Sequence, residues 1–219
     1  MQPTVILWDW DNTLVDAWGG IRAALNDCFA AHGLPLWTLA ETKQRVRGGM
    51  QESFQALFGA DWAAAAALFR QRHAAHQLAE LRPMPGLPGL LQAAGPLVQA
   101  VVSNKEGGPL RREVAHLGWG ALFAAVVGAD DAAAPKPHPA PIWHALAAIG
   151  MKPGRHVWYV GDTATDMQAA LAAGCTAVLL GDASHDGGIS RLAECGATPH
   201  LHFVTADALA ARLRVPATG

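Results

Sequence analysis

Thr4-Val5-Ile6-Leu7-Trp8-Asp9-Trp10-Asp11-Asn12-Thr13-Leu14 is the stretch on which the fold turns. Its first half is apolar without polar alternation, the pattern of a strand covered on both faces, as in a parallel sheet. Its second half sets two carboxylates directly after that strand. Open parallel sheets bind ligands at the carboxyl ends of their strands, so Asp9 and Asp11 stand where chemistry is expected. Two carboxylates two residues apart on an extended chain point roughly to the same side. Buried together they repel, and a divalent cation or a nearby lysine resolves that conflict. Hard oxygen donors favour Mg²⁺, especially where a substrate phosphate completes the shell. The pair also reads as a helix cap or turn, and by itself it does not choose between these readings.

Working outward, buried strands are expected at residues 97–103, 156–161 and 176–180, with a shorter candidate at 123–128 and a weaker one at 201–204. Apolar residues recur at helical spacing over 86–94, 108–117, 140–149 and 163–173, and Gly174 falls where a helix needs a left-handed stop. Strand and helix in alternation mean right-handed crossovers and an α/β fold, a Rossmann-like open parallel sheet. Residues 15–83 differ: they read as helical throughout. Ile21, Leu25, Cys28 and Phe29 share one face, Gly33 follows as a stop, Thr38 and Glu41 have capping-box spacing, and 62–81 makes one or two more helices. The expected division is a core domain of residues 1–14 and 84–219 and an inserted helical domain of residues 15–83.

A second acidic pair closes another strand: Gly161-Asp162-Thr163-Ala164-Thr165-Asp166. Asp166, four residues after Asp162, can lie on the same side of the first helical turn. The alternative is helix capping, with Asp162 or Thr163 as N-cap and Asp166 favoured by the helix dipole. Ser103-Asn104-Lys105 follows a third strand, where a hydroxyl and successive backbone N–H groups can hold phosphoryl oxygens. It also reads as an ordinary turn. Lys136, set among prolines in Ala134-Pro135-Lys136-Pro137-His138-Pro139, would offset both the carboxylates and a phosphate charge.

In order and spacing these residues resemble the four motifs of the haloacid dehalogenase superfamily: Asp9 to Leu14, then Ser103-Asn104, then Lys136, then Gly161-Asp162 with Asp166. The insert resembles that superfamily's helical cap, and within it the chain looks most like the phosphoglycolate phosphatase-like group. The resemblance implies a Mg²⁺-dependent phosphatase that hydrolyses a small phosphate monoester through an aspartyl-phosphate. It makes Asp9 the nucleophile and a metal ligand, and Asp11 the general acid/base with its backbone carbonyl on the metal. Ser103 and Lys136 become catalytic phosphate-binding residues, with Trp10 and Asn104 also assigned to phosphate. Asp162 and Asp166 become metal ligands, Asp166 directly or through water. Asp11 separates this reading from dehalogenation, because a departing halide needs no proton. Trp10 stands where the family often carries Phe, Leu or Met. Asn12 stands where Gly is common, so the turn there must tolerate a Cβ. Arg47, in Arg45-Val46-Arg47-Gly48-Gly49-Met50, is the insert residue assigned to substrate specificity. Trp18 and Trp37 could line the cap or simply pack. A phosphomutase of the same superfamily and a phospho-accepting regulator are the rival readings.

Composition excludes other classes. Sixteen basic against eighteen acidic residues give a net charge of −2, too little basic excess for a nucleic-acid backbone. No apolar run approaches the ~20 residues that span a bilayer, and no secretion signal is read at the N-terminus. Cys28, Cys175 and Cys195 have no disulfide or zinc spacing and read as buried, inert thiols of a cytoplasmic protein. The histidine pairs 73/76 and 200/202 lack a third ligand at recognisable spacing and read as surface or packing residues. The expected partner is a small phosphate ester, with neither nucleic acid nor membrane.

Overall fold

A computed structural model describes residues 2–46 and 50–214. The chain runs β1 (Val5–Trp8), β2 (Val15–Asp16), α1 (Trp18–Ala31), α2 (Leu39–Arg45), α3 (Met50–Phe58), α4 (Trp62–Glu80) and β3 (Arg82–Pro83). It continues through α5 (Leu87–Ala94), β4 (Val98–Val102), α6 (Gly107–His116), β5 (Ala125–Val127), α7 (Ala140–Ala148), β6 (Val157–Gly161), α8 (Ala164–Ala172), β7 (Thr176–Leu180), α9 (Gly188–Glu194), β8 (Leu201–Phe203) and α10 (Ala206–Arg214).

Six strands form one parallel sheet in the order β5-β4-β1-β6-β7-β8. All six expected strands form, each trimmed by up to three residues. From β1, successive connections build the sheet outward in one direction through β4 and β5 and in the other through β6, β7 and β8. The carboxyl ends of β1, β4 and β6 therefore share one rim, the place where such sheets bind ligands. Register fixes the alignment: Trp8 pairs with Val101 on one side and with Val160 on the other. Every residue of β1 is fully buried, which is why the run shows no polar alternation.

Contacts divide the chain into two compact units, Met1–Val15 with Pro83–Gly219, and Asp16–Arg82. The first holds the sheet; its core joins Val5, Leu7, Val157 and Tyr159 to Ile142 and Leu146 of α7 and Met167 and Ala170 of α8. The second is helical with a core of its own, in which Leu25, Cys28 and Phe29 of α1 meet Phe54, Phe58, Ala65 and Phe69. Residues 15–83 are not helical throughout: Val15–Asp16 and Arg82–Pro83 pair as a two-stranded ribbon where the chain leaves the sheet and returns. Two residues are too few to show a strand period. The Thr38–Glu41 capping box forms at α2. Trp37 packs on Phe29 at 4.7 Å between ring centroids, with the Arg45 guanidinium over the Trp37 ring at 5.1 Å from its centroid, and Trp18 is buried.

Turn chemistry follows the expectations. Gly174 has φ +74° and Asn12 has φ +64°, the left-handed region that asparagine tolerates better than other residues with a Cβ. Cys28 and Cys175 are buried free thiols, whereas Cys195 is partly exposed, because it ends the short surface helix α9. None of the helices among the described residues is long and apolar enough to cross a membrane.

Leu146 lies on the buried face of α7 and is 1% exposed. Leu146→Ala is expected to destabilise the protein by about 2–5 kcal/mol, read from the midpoint of a urea denaturation curve.

Candidate active site

Asp9 follows β1 at the shared rim, and its backbone N–H donates to the Val160 carbonyl at 2.8 Å, extending the sheet by one bond. Asp162 follows β6, and Asp166 sits in the first turn of α8. One oxygen from each of these three buried carboxylates lies within 4.8 Å of the others.

Lys136 enters this cluster. Its Nζ donates to Asp9 Oδ1 at 2.6 Å, to Asp166 Oδ1 at 2.7 Å and to the Tyr159 hydroxyl at 2.8 Å. These three short bonds match the three protons of an ammonium, and the Val102 carbonyl lies further off at 3.3 Å. The Tyr159 hydroxyl in turn donates to the Val102 carbonyl at 2.8 Å. Asp166 divides its two oxygens between tasks. Oδ1 faces Lys136, while Oδ2 accepts from the Thr163 hydroxyl at 2.7 Å and from the backbone N–H groups of Thr163 and Asp162 at 3.0 and 3.2 Å. Capping and cluster membership are thus both true of Asp166. The arrangement needs Gly161, since a Cβ there would lie 2.6 Å from Asp166 Oδ2. Thr13, a residue the sequence reading passed over, donates its hydroxyl to Asp162 Oδ1 at 3.0 Å, with Asp9 Oδ2 at 3.4 Å.

Burial pushes the Asp9 carboxyl well above its ordinary range; Lys136 pulls it down, and Asp166 and Asp162 push it up again. Burial also opposes charge on Asp166, but Lys136 and the Thr163 hydrogen bonds outweigh it and hold that carboxyl below the ordinary range. For Lys136, burial disfavours the ammonium, yet Asp166 and Asp9 dominate and keep it charged well beyond the usual lysine range. With every carboxyl ionised, the three would outweigh the one ammonium by two negative charges, and that imbalance adds to burial in pushing Asp9 upward. An oxygen-rich, net negative, buried set of this kind fits a hard divalent cation.

Other expected site residues lie elsewhere in the site's surroundings. Ser103 is buried after β4, and its hydroxyl accepts from the Lys105 N–H at 3.2 Å. Asn104 spends its side chain on the backbone of Lys136: its amide donates to the Lys136 carbonyl at 2.9 Å and its carbonyl accepts the Lys136 N–H at 2.8 Å. The Asn104 side chain therefore aims Lys136, and only its backbone is left for a phosphate. The Trp10 side chain likewise turns away into the core, where its indole donates to Glu113 and its ring meets Trp119 and Phe123 edge-on.

The Asp11 side chain stands apart from the Asp9 cluster and turns to a different cation. Lys105 Nζ holds Asp11 Oδ1 at 2.6 Å. The local turn explains the divergence, since left-handed Asn12 bends the chain and Val15 bridges back to Asp11. Glu113, fully buried on α6, accepts from Lys105 with both oxygens at 2.8 Å. Its signal was an acidic residue at helical spacing between Leu110 and Val114, on the apolar face of α6. Tyr159 carried no signal beyond its place in a buried strand. Arg47 lies outside the described residues.

The histidine pairs serve packing and hydrogen bonds. His76 meets Asp27 at 2.9 Å, and His73 stacks on Phe69. His200 accepts from the Ala177 N–H at 3.0 Å, and His202 meets the Gly181 carbonyl at 2.8 Å.

Residues 6–180 match the sequence model of the haloacid dehalogenase-like hydrolases. The chain belongs to that family. This hydrolase is 35% identical over 193 residues to a phosphoglycolate phosphatase of Xylella fastidiosa, covering 84% of this chain and 83% of that protein. It is 30% identical to a phosphoglycolate phosphatase of Pectobacterium atrosepticum, covering 79% of this chain and 78% of that protein. Among solved structures, a haloacid dehalogenase superfamily hydrolase from Ehrlichia chaffeensis aligns with a TM-score of 0.65 at 25% identity, over 97% of this chain and 96% of that one. A haloacid dehalogenase-like family protein from Streptococcus pneumoniae shares the fold at a TM-score of 0.79 and 20% identity, over 97% and 99%.

The electrostatics of the hydrolase's acidic cluster yield a stability prediction. A carboxyl raised by the fold contributes stability that is present at low pH and lost as pH rises through its folded value. In the presence of a chelator, Asp9→Asn is expected to melt at a higher temperature than wild type at pH 7. The gap should close as pH falls toward about 4, where the wild-type carboxyl is itself protonated. Scanning calorimetry across that pH range reads both effects, and an Asp9→Asn protein melting below wild type at pH 7 contradicts the assignment.

Proposed function

We propose that this hydrolase is a Mg²⁺-dependent phosphatase acting on a small phosphate monoester of the phosphoglycolate class, with Asp9 as nucleophile. The observation that carries the reading is the placement of the Asp9 carboxylate between the Lys136 ammonium, 2.6 Å away, and the two further carboxylates Asp162 and Asp166. Asp9, Asp162 and Asp166 would hold the cation, with the backbone carbonyl of Asp11 as a further donor. When bound, the cation supplies positive charge for the oxygens of the phosphoryl group.

The chain's own residues carry the steps. Lys136 neutralises phosphoryl oxygens and keeps Asp9 oriented, because Asn104 fixes its backbone and Tyr159 its ammonium. Ser103 and the backbone N–H groups of Trp10 and Asn104 bind the phosphoryl oxygens, a positioning task that dominates phosphoryl transfer. Asp9 attacks phosphorus in line, the bond to the ester oxygen breaks, and Asp11 gives that oxygen a proton. Asp11 then takes a proton from the water that attacks the aspartyl-phosphate, releasing phosphate and restoring Asp9.

The helical unit is proposed as a cap that selects substrate, supported by its own core and its insertion directly after the nucleophile strand. The curated relatives named phosphoglycolate phosphatase support the substrate class. The three free cysteines support a reducing, cytoplasmic setting.

Asp9→Asn is expected to lower phosphate release from phosphoglycolate by at least ~10³-fold, and a chelator should abolish wild-type turnover until Mg²⁺ is restored. Substantial turnover by folded Asp9→Asn removes Asp9 as nucleophile. Detection of an isomerised sugar phosphate instead of free phosphate would favour the mutase.

Asp11→Asn is expected to cost ~10²-fold or more on phosphoglycolate, whose alkoxide needs a proton, and roughly tenfold less on p-nitrophenyl phosphate. Steady-state kcat/KM on the two esters measures the difference.

A further inference from the structure

Lys105 and Glu113 belong to neither the Asp9 cluster nor the set proposed to bind phosphate, yet Glu113 is buried and Lys105 partly so. The Lys105 side chain is 11% exposed and that of Glu113 is 1% exposed. A lysine so close to the sheet rim could be read as a further phosphate ligand. Its bonds argue otherwise. Two of its contacts go to the two oxygens of Glu113 at 2.8 Å each, and the third goes to Asp11 Oδ1 at 2.6 Å. Two carboxylates thus already balance the charge of this ammonium, and the two-oxygen grip of Glu113 turns it toward Asp11 rather than toward a substrate oxygen.

Glu113 is anchored in its turn. The Trp10 indole donates to its Oε2, and Trp10 is locked between Trp119 and Phe123. A buried carboxylate held by one neutral donor and one ammonium has few other places to go. It therefore stops Lys105 from swinging out to solvent or inward to the phosphate. Asp11 is the loose member: its side chain is 31% exposed, and a carboxylate at a turn has several rotamers open to it.

We propose that Trp10, Glu113 and Lys105 form a positioning relay that aims the Asp11 carboxylate at the leaving-group oxygen. This inference rests on the reading of Asp11 as general acid/base. Lys105 takes Oδ1, so Oδ2 is the oxygen that carries the proton. In the first half-reaction the Oδ2–H bond breaks as the O–H bond of the product alcohol forms. In the second, water loses a proton to Oδ2 as its oxygen bonds phosphorus and the bond from phosphorus to the Asp9 oxygen breaks. Lys105 and Glu113 exchange no proton; they set direction. Trp10 immediately precedes Asp11, so the segment that carries the acid also carries the anchor of its holder.

The test compares Lys105→Met with wild type on phosphoglycolate and on p-nitrophenyl phosphate. Misaiming the acid is expected to lower kcat/KM on phosphoglycolate ~10- to 100-fold. On the aryl ester, whose leaving group needs little protonation, the loss should be at least about fivefold smaller. Glu113→Gln should shift the ratio in the same direction. In an Asp11→Asn background, Lys105→Met should cost no more than about twofold further, because a residue acting through Asp11 has nothing left to aim. Equal losses on both esters, or losses that multiply with those of Asp11→Asn, overturn the relay and make Lys105 a structural or phosphate-binding group. Lys105→Met leaves Glu113 buried without its cation, so it can fail to fold. Lys105→Met/Glu113→Gln, which removes both charges and keeps an acceptor for the indole, then serves the same comparison. If Asp11→Asn alone lacks the leaving-group pattern, the general-acid reading falls and the relay falls with it, while Asp9-dependent phosphate release still stands on its own result.

Discussion

The structure depends on one buried ammonium. Lys136 stands among Asp9, Asp166 and Tyr159, and without it three carboxylates would be packed together in a region that water barely reaches. Taking such charges out of water costs several kcal/mol per ion, and the mutual attraction recovers that only where geometry and hydrogen bonding are good. The geometry here comes from the sheet. Because β1 lies between β4 and β6, Asp9, Val102 and Asp162 leave adjacent strands at one rim, and Lys136 finds a carbonyl, a phenol and two carboxylates within reach. One ammonium does not balance three carboxyl groups, so the cluster is held at a cost to stability, the usual trade at a functional site.

A second lysine divides the first motif in two. Asp9 goes to Lys136 and Asp11 goes to Lys105, each lysine held by a group that does not touch the other. Placing like charges two residues apart is tolerable once each faces its own cation. The division also separates tasks in the proposed chemistry: one carboxylate is fixed deep in the cluster, the other stands nearer solvent on a short turn. Burial works against the Lys105 ammonium, but Asp11 and Glu113 outweigh it and hold the amine above the ordinary lysine range. The holder of Asp11 thus stays charged.

Much of this was legible along the chain. The apolar runs, the helix spacing, the capping box at Thr38 and the turn at Asn12 that tolerates a Cβ are local properties, and each formed as read, while the capping alternative at 162–166 resolved to Thr163. The candidate residues at the strand ends were legible because strand ends in a parallel sheet are predictable sites. Partners were less legible. Asn104 looked like a phosphate ligand until its side chain was found bracketing the Lys136 peptide thirty-two residues away. Trp10 looked like part of the phosphate loop, yet its indole is committed to Glu113. Tyr159 and Glu113 read as core positions, since nothing nearby in sequence marks the lysine each one meets.

Chain-local chemistry settled the kinds of elements, their order and the positions at which acidic residues would emerge, because periodicity, capping and turn preference act over a few residues. Long-range packing decided which of those groups meet. Whether Asp11 joins Asp9 or turns to Lys105, and whether an asparagine binds a ligand or braces a lysine, depends on contacts across tens of residues whose energies exist only after the sheet has closed around them.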